Sequence, residues 1–159
     1  MKIIVDAMGG DNAPMDVVKG ALQISTDEGI EIVLVGRGEE ILTCLEQQGI
    51  KSLPKGIEIA YASEVIENDD DPAMAVRVKK DSSMSVGLRL VKDGVGDAIV
   101  SAGNTGALLS GATLVVKRIK GIRRAALATL LPTNNGGCLL RIKIGKSFHG
   151  DKERLLGLF

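Results

Sequence analysis

Short apolar runs alternate with amphipathic stretches along this chain, and two of the runs end in glycine-punctuated turns. The first is Ile3-Ile4-Val5-Asp6-Ala7-Met8-Gly9-Gly10-Asp11-Asn12-Ala13-Pro14. The second is Asp97-Ala98-Ile99-Val100-Ser101-Ala102-Gly103-Asn104-Thr105-Gly106-Ala107-Leu108-Leu109. Each reads as strand, tight turn, helix. The alternation argues an α/β fold, a mostly parallel sheet flanked by helices. In such a sheet the turns at the carboxyl ends of strands gather on one edge, where ligands bind.

Periodicity predicts strands near residues 2–6, 31–36, 57–61, 97–100 and 126–131, with a last one over 137–144. Pro14 suits a first helical position, with Asn12 or Ala13 as cap. Gly29 and Gly49 suit helix ends. Residues 62–71 carry Glu64, Glu67, Asp69, Asp70 and Asp71 and read as a solvated acidic connection. Pro72 can open a short helix through Val78. Asp81 or Ser82 caps the next helix. A further helix is expected from about Thr105 to Lys117.

The chain has 159 residues, enough for one domain with a core. Its 20 basic and 20 acidic residues balance, so no long-range field draws nucleic acid. Tyr61, Phe148 and Phe159 are its aromatics, too few for a base-stacking surface. A nucleic-acid partner is therefore not expected. Cys44 and Cys138 stand in apolar stretches, outside any metal or redox spacing, and read as core residues of a reduced, cytoplasmic protein. Asp6 and Gly9-Gly10 interrupt the first apolar run, so it is not read as a signal peptide. No apolar stretch approaches the roughly 18 residues of a membrane span.

Several chemistries find no support. Gly36-Arg37-Gly38-Glu39-Glu40 lacks the third glycine of a dinucleotide fingerprint, and its glutamates would repel a pyrophosphate. There is no Walker A motif. The single histidine, His149, does not supply a histidine-based triad or zinc site. No metal ligands and no cofactor are assigned, and no catalytic residue is singled out. What remains is positioning of an anion, phosphate above all. Ser101, Gly103, Asn104, Thr105 and Gly106 are candidates: the glycines admit an anion to the backbone, and Asn104 and Thr105 add donors. Gly9, Gly10, Asp11 and Asn12 form the partner turn, with Asp6 at the strand tip orienting it. Lys80 and Ser82 are further candidates, beside Lys79 and Ser83. Each of these residues also has a plain structural use, as helix cap, turn former or surface charge.

Three segments carry a family resemblance: VDAMGGDNAP, AVRVKKDSSMSVGLRLVK, and SAGNTGALLSGA followed by RIKGIRRAALA. In this order they resemble the bacterial phosphate acyltransferase of phospholipid synthesis, from Met1 to about Leu140. Asn12 stands where that family usually has histidine. The resemblance implies a fold similar to phosphotransacetylases and the isocitrate dehydrogenase group. It implies transfer of a fatty acyl group from acyl-[acyl carrier protein] to inorganic phosphate, giving acyl phosphate. It also implies a homodimer, in the cytoplasm or loosely at the membrane, without metal or organic cofactor. A thioester is already activated, so phosphate attacks it directly once held and oriented.

Residues 141–159 read as a tail unlike the family, with five basic residues against two acidic ones. The expected division is thus 1–140, the N-terminal part of an acyltransferase domain, and 141–159. The family chain is roughly twice as long. On this reading the chain by itself is expected to make no acyl phosphate. Two alternatives stand beside it: a non-enzymatic remnant that binds phosphate weakly, and a different small acyl- or phosphoryl-transfer enzyme.

Overall fold

The computed structural model describes residues 1–121, Ala125, and the backbone of residues 127–132 and 138–143. The chain divides into two compact units, Met1–Arg118 and Ile119–Phe159.

The first unit is built on a four-stranded parallel sheet. Its strands are β1 (Lys2–Asp6), β2 (Glu31–Gly36), β3 (Ile57–Tyr61) and β4 (Ala98–Val100), in the order β3-β2-β1-β4. Register follows from Ile4 opposite Val33 and Ile99, and from Leu34 opposite Ile59. The helices are α1 (Met15–Glu28), α2 (Gly38–Gln47), α3 (Ala75–Val78), α4 (Ser83–Lys92) and α5 (Thr105–Gly111). A π-helical turn over Ala112–Val116 continues α5, so the predicted helix over 105–117 forms with a change of register midway.

Alternation along the strands sends side chains to two separate cores. Ile32 and Leu34 point toward Val18, Ala21 and Leu22 of α1 and Ile41, Cys44 and Leu45 of α2. Ile4, Val33 and Val35 point the other way, against Val86, Leu90 and Val91 of α4. Beside them Met84 and Leu88 join Ile66, Ala75, Val76 and Ala107 in a third cluster. Cys44 is buried, and burial pushes its thiol pKa up. It is a packing residue, as its neighbours in sequence suggested.

Two helix ends show local chemistry plainly. Gly29 takes the left-handed conformation that stops α1. Ser82 caps α4, its hydroxyl accepting from the Ser85 N–H. The start of α1 departs from expectation. Pro14 occupies the cap position, no side chain caps the helix, and the Asn12 amide donates to the Asp16 carboxylate instead.

In the second unit, β5 (Leu127–Pro132) pairs antiparallel with β6 (Cys138–Lys143), Leu130 opposite Leu140. The expected strands are present, but they form a two-stranded sheet of their own and not a parallel extension. A connection of five residues, 133–137, permits a hairpin and is too short for a parallel crossover. The residues of that connection and those beyond Lys143, including Phe148, His149 and Phe159, lie outside the described residues.

Candidate functional site

The strand order places β1 between β2 and β4. From β1 the chain adds β2 and β3 on one side, then returns to add β4 on the other. The crevice at the carboxyl ends of β1 and β4 is the switch point of the sheet, the place where open α/β sheets take ligands. Both glycine-punctuated turns leave from there. The structure thus brings together Asp6, Gly9, Gly10, Ser101 and Gly103.

A buried carboxylate ties the two turns. Asp6 is 2 % exposed. Its Oδ2 accepts from Ser101 Oγ at 2.7 Å, and its Oδ1 accepts from the Met8 N–H at 3.2 Å. Ser101 Oγ in turn accepts from the Gly103 N–H at 3.2 Å. Among the described residues no cation pairs with Asp6. Two hydrogen bonds therefore satisfy the buried carboxyl group, which ties one turn to the other.

The backbones of the turns touch. A Cβ built on Gly9 would stand 2.8 Å from Asp6 Oδ2 and 2.9 Å from the Gly103 nitrogen. Gly10 has φ +116°, a conformation that glycine alone adopts readily. Gly103 keeps an ordinary negative-side backbone, so its role is close approach to Gly9 and not a left-handed turn. Asp11 and Asn12 follow at the exposed rim.

Two candidates have other employment, and a third stands exposed. Asn104 is 7 % exposed and its amide is fully engaged. Its Oδ1 accepts from the Ala107 N–H at 3.0 Å and caps α5. Its Nδ2 donates to the carbonyls of Glu67, Asn68 and Asp70 at 3.2, 3.4 and 3.2 Å. The side-chain donor that the sequence offered to an anion is held by the acidic connection. Ser82 is fully buried, and its hydroxyl lies between the Lys79 carbonyl and Ser85 Oγ. Lys80 is exposed, and its carbonyl accepts from Arg89. Among the described residues, neither Ser82 nor Lys80 has a hydrogen bond to the turns.

Thr105 is exposed, and Gly106 lies under Pro72, whose Cβ would be 2.8 Å from a Cβ on Gly106. The N–H groups of Thr105 and Gly106 have no partner among the described residues. Sequence reasoning passed over Met84 and read Pro72 only as a helix opener. Met84 is buried beneath the second turn, with its Cε 3.7 Å from a Cβ built on Gly103. No local pattern marks either residue for the site, because both reach the turns through tertiary contact.

The arrangement offers backbone N–H groups, small side chains and a fixed crevice. Among the described residues there is no cluster of metal-ligating side chains, and no helix is long and apolar enough to cross a membrane.

The phosphate acyltransferase of Thermoanaerobacter pseudethanolicus is 50% identical over 157 residues, 98% of this chain and 45% of the relative. That of Desulfitobacterium hafniense strain DSM 10664 is 49% identical over 156 residues, 98% of this chain and 46% of the relative. The chain thus spans about half the length of the curated relatives it matches. A crystal structure of a phosphotransacetylase from Streptococcus pyogenes superposes with TM-score 0.61 at 22% identity, covering 88% of this chain and 45% of that one. That likeness shows the α/β fold. A family model described as "Fatty acid synthesis protein" matches residues 1–158, running past Leu140 through the segment set apart above. The chain belongs to this family of fatty acid synthesis proteins.

Proposed function

We propose that this chain supplies the phosphate-holding part of an enzyme that transfers a fatty acyl group from acyl-[acyl carrier protein] to inorganic phosphate. The observation that carries the reading is the meeting of the two glycine-punctuated turns at the switch point, tied by Asp6 and Ser101. The names of the relatives, phosphate acyltransferases, give the reaction class. Phosphate bound against the N–H groups of these turns would be oriented to attack the thioester carbonyl. The carbonyl carbon gains a P–O–C bond, the C–S bond breaks, and the thiolate leaves with a proton from solvent or phosphate. A thiol of ordinary pKa near 8.5 is a good leaving group, so no covalent nucleophile is required. Orientation then supplies most of the catalysis. The assembled enzyme is read as a cytoplasmic homodimer that needs no cofactor.

The test has two arms. Inorganic phosphate titrated into the chain and followed by phosphorus NMR line width is expected to saturate, and Gly10→Val to remove the effect. In a full-length family member, the substitution equivalent to Gly103→Val is expected to abolish acyl phosphate trapped as a hydroxamate. Wild-type line widths that never change with protein would reject the phosphate site. Undiminished acyl phosphate in the substituted full-length enzyme would reject the role of the turn.

A further inference from the structure

The connection between β3 and α3 is held by side chains from elsewhere. Ile66 is buried at one end of it, and Ala75 and Val76 at the other. Between these anchors, residues 67–74 have no buried member. Apolar burial therefore does not fix this stretch, and polar contacts must.

Two sets of contacts do so. The Asn104 amide donates its two hydrogens among the carbonyls of Glu67, Asn68 and Asp70. Carbonyls only accept, and the Ala107 N–H only donates, so the amide has one orientation that satisfies every partner. Lys79 Nζ donates to the Val65 carbonyl at 2.9 Å and pairs with the Asp70 carboxylate. Asp70 in turn accepts from the Glu67 N–H at 2.8 Å. Pro72 then rests on Gly106.

We propose that residues 67–72 form a strap that opens locally over the first turn of α5, with Asn104 and Lys79 as its two latches. Asn104 is thereby a positioning residue and not a ligand of substrate. A segment without buried side chains, closed by a few polar bonds, opens at a small fraction of the global unfolding free energy. The assignment stands whether or not phosphate is the ligand of the neighbouring turns.

Amide hydrogen exchange on the full chain tests it. Asn104→Asp keeps an acceptor that caps a helix well and removes the donors. Lys79→Met removes the second latch and leaves α5 untouched. Each is expected to speed exchange of the Glu67 and Asp70 amides by about tenfold, the equivalent of one or two lost hydrogen bonds. Both together are expected to speed it further. The Ala107 amide reports on the cap, and the β1 and β2 amides report on the fold. These control amides are expected to keep their wild-type rates. Wild-type strap rates in Asn104→Asp would overturn the proposal. So would strap amides that exchange in step with β1 and β2, in the wild type or in either variant.

Discussion

Gly9 and Gly103 face each other across the crevice, yet they tolerate a methyl group differently. On Gly9 a Cβ would collide with a carboxylate oxygen at 2.8 Å and a backbone nitrogen at 2.9 Å. On Gly103 its nearest neighbour is Gly9 Cα at 3.4 Å, an ordinary contact. Gly9→Ala is therefore expected to cost about 1–3 kcal/mol through overpacking. Gly103→Ala is expected to cost under about 1 kcal/mol. Urea unfolding of the two variants side by side checks the order. Asp6→Ala removes the acceptor that Ser101 and Met8 use. It is expected to lose about 1–3 kcal/mol through two lost, part-buried hydrogen bonds, again read by urea unfolding. Asn104→Ala is not a mild change at the site, because that amide both caps α5 and clasps the strap.

At the scale of elements, α4 depends on its first residues. Ser82 and Ser85 are buried there, and the Ser82 hydroxyl satisfies the Ser85 N–H. Ser82→Ala is expected to lower stability by about 1–2 kcal/mol, measured by thermal or urea unfolding. The strap adds a pH dependence. The Lys79 ammonium beside Asp70, with the Glu67 N–H, holds the Asp70 carboxyl below the usual carboxylate range. A depressed folded-state pKa means that the ion pair stabilises above the unfolded pKa, about 4. That contribution is lost as pH falls through the lower, folded value. Strap amides are thus expected to lose protection on acidification below about pH 4. In Lys79→Met that step should shrink, measured as the pH profile of exchange corrected for intrinsic rates.

Over the whole molecule, the sheet and its two faces of helices lie within Met1–Arg118. A chain cut after Arg118 is expected to keep the far-UV dichroism of the parallel sheet and a cooperative unfolding transition. Leu34 is fully buried at the centre of that sheet. Leu34→Ala should destabilise either chain by about 2–5 kcal/mol. A fragment that unfolds without cooperativity would show that the first unit needs the second.

The strands and helices of the first unit were legible because each needs only local pattern. Ile32 to Val35 is a continuous apolar run, and Gly29 and Ser82 are end signals with a local mechanism. The gathering of the two turns was legible too, since parallel strands put their carboxyl ends on one edge. What each turn residue does there was not. Gly9 is confined by Asp6 and Gly103, and Gly106 by Pro72, which are contacts between segments far apart in sequence. Asn104 reads as a free donor until the fold brings three carbonyls of the acidic connection within reach of it. The strands over 127–132 and 138–143 were visible, but their direction depended on which partner each would find. Periodicity records which face of a segment is buried, and hydrogen-bond partners are chosen only when distant segments meet.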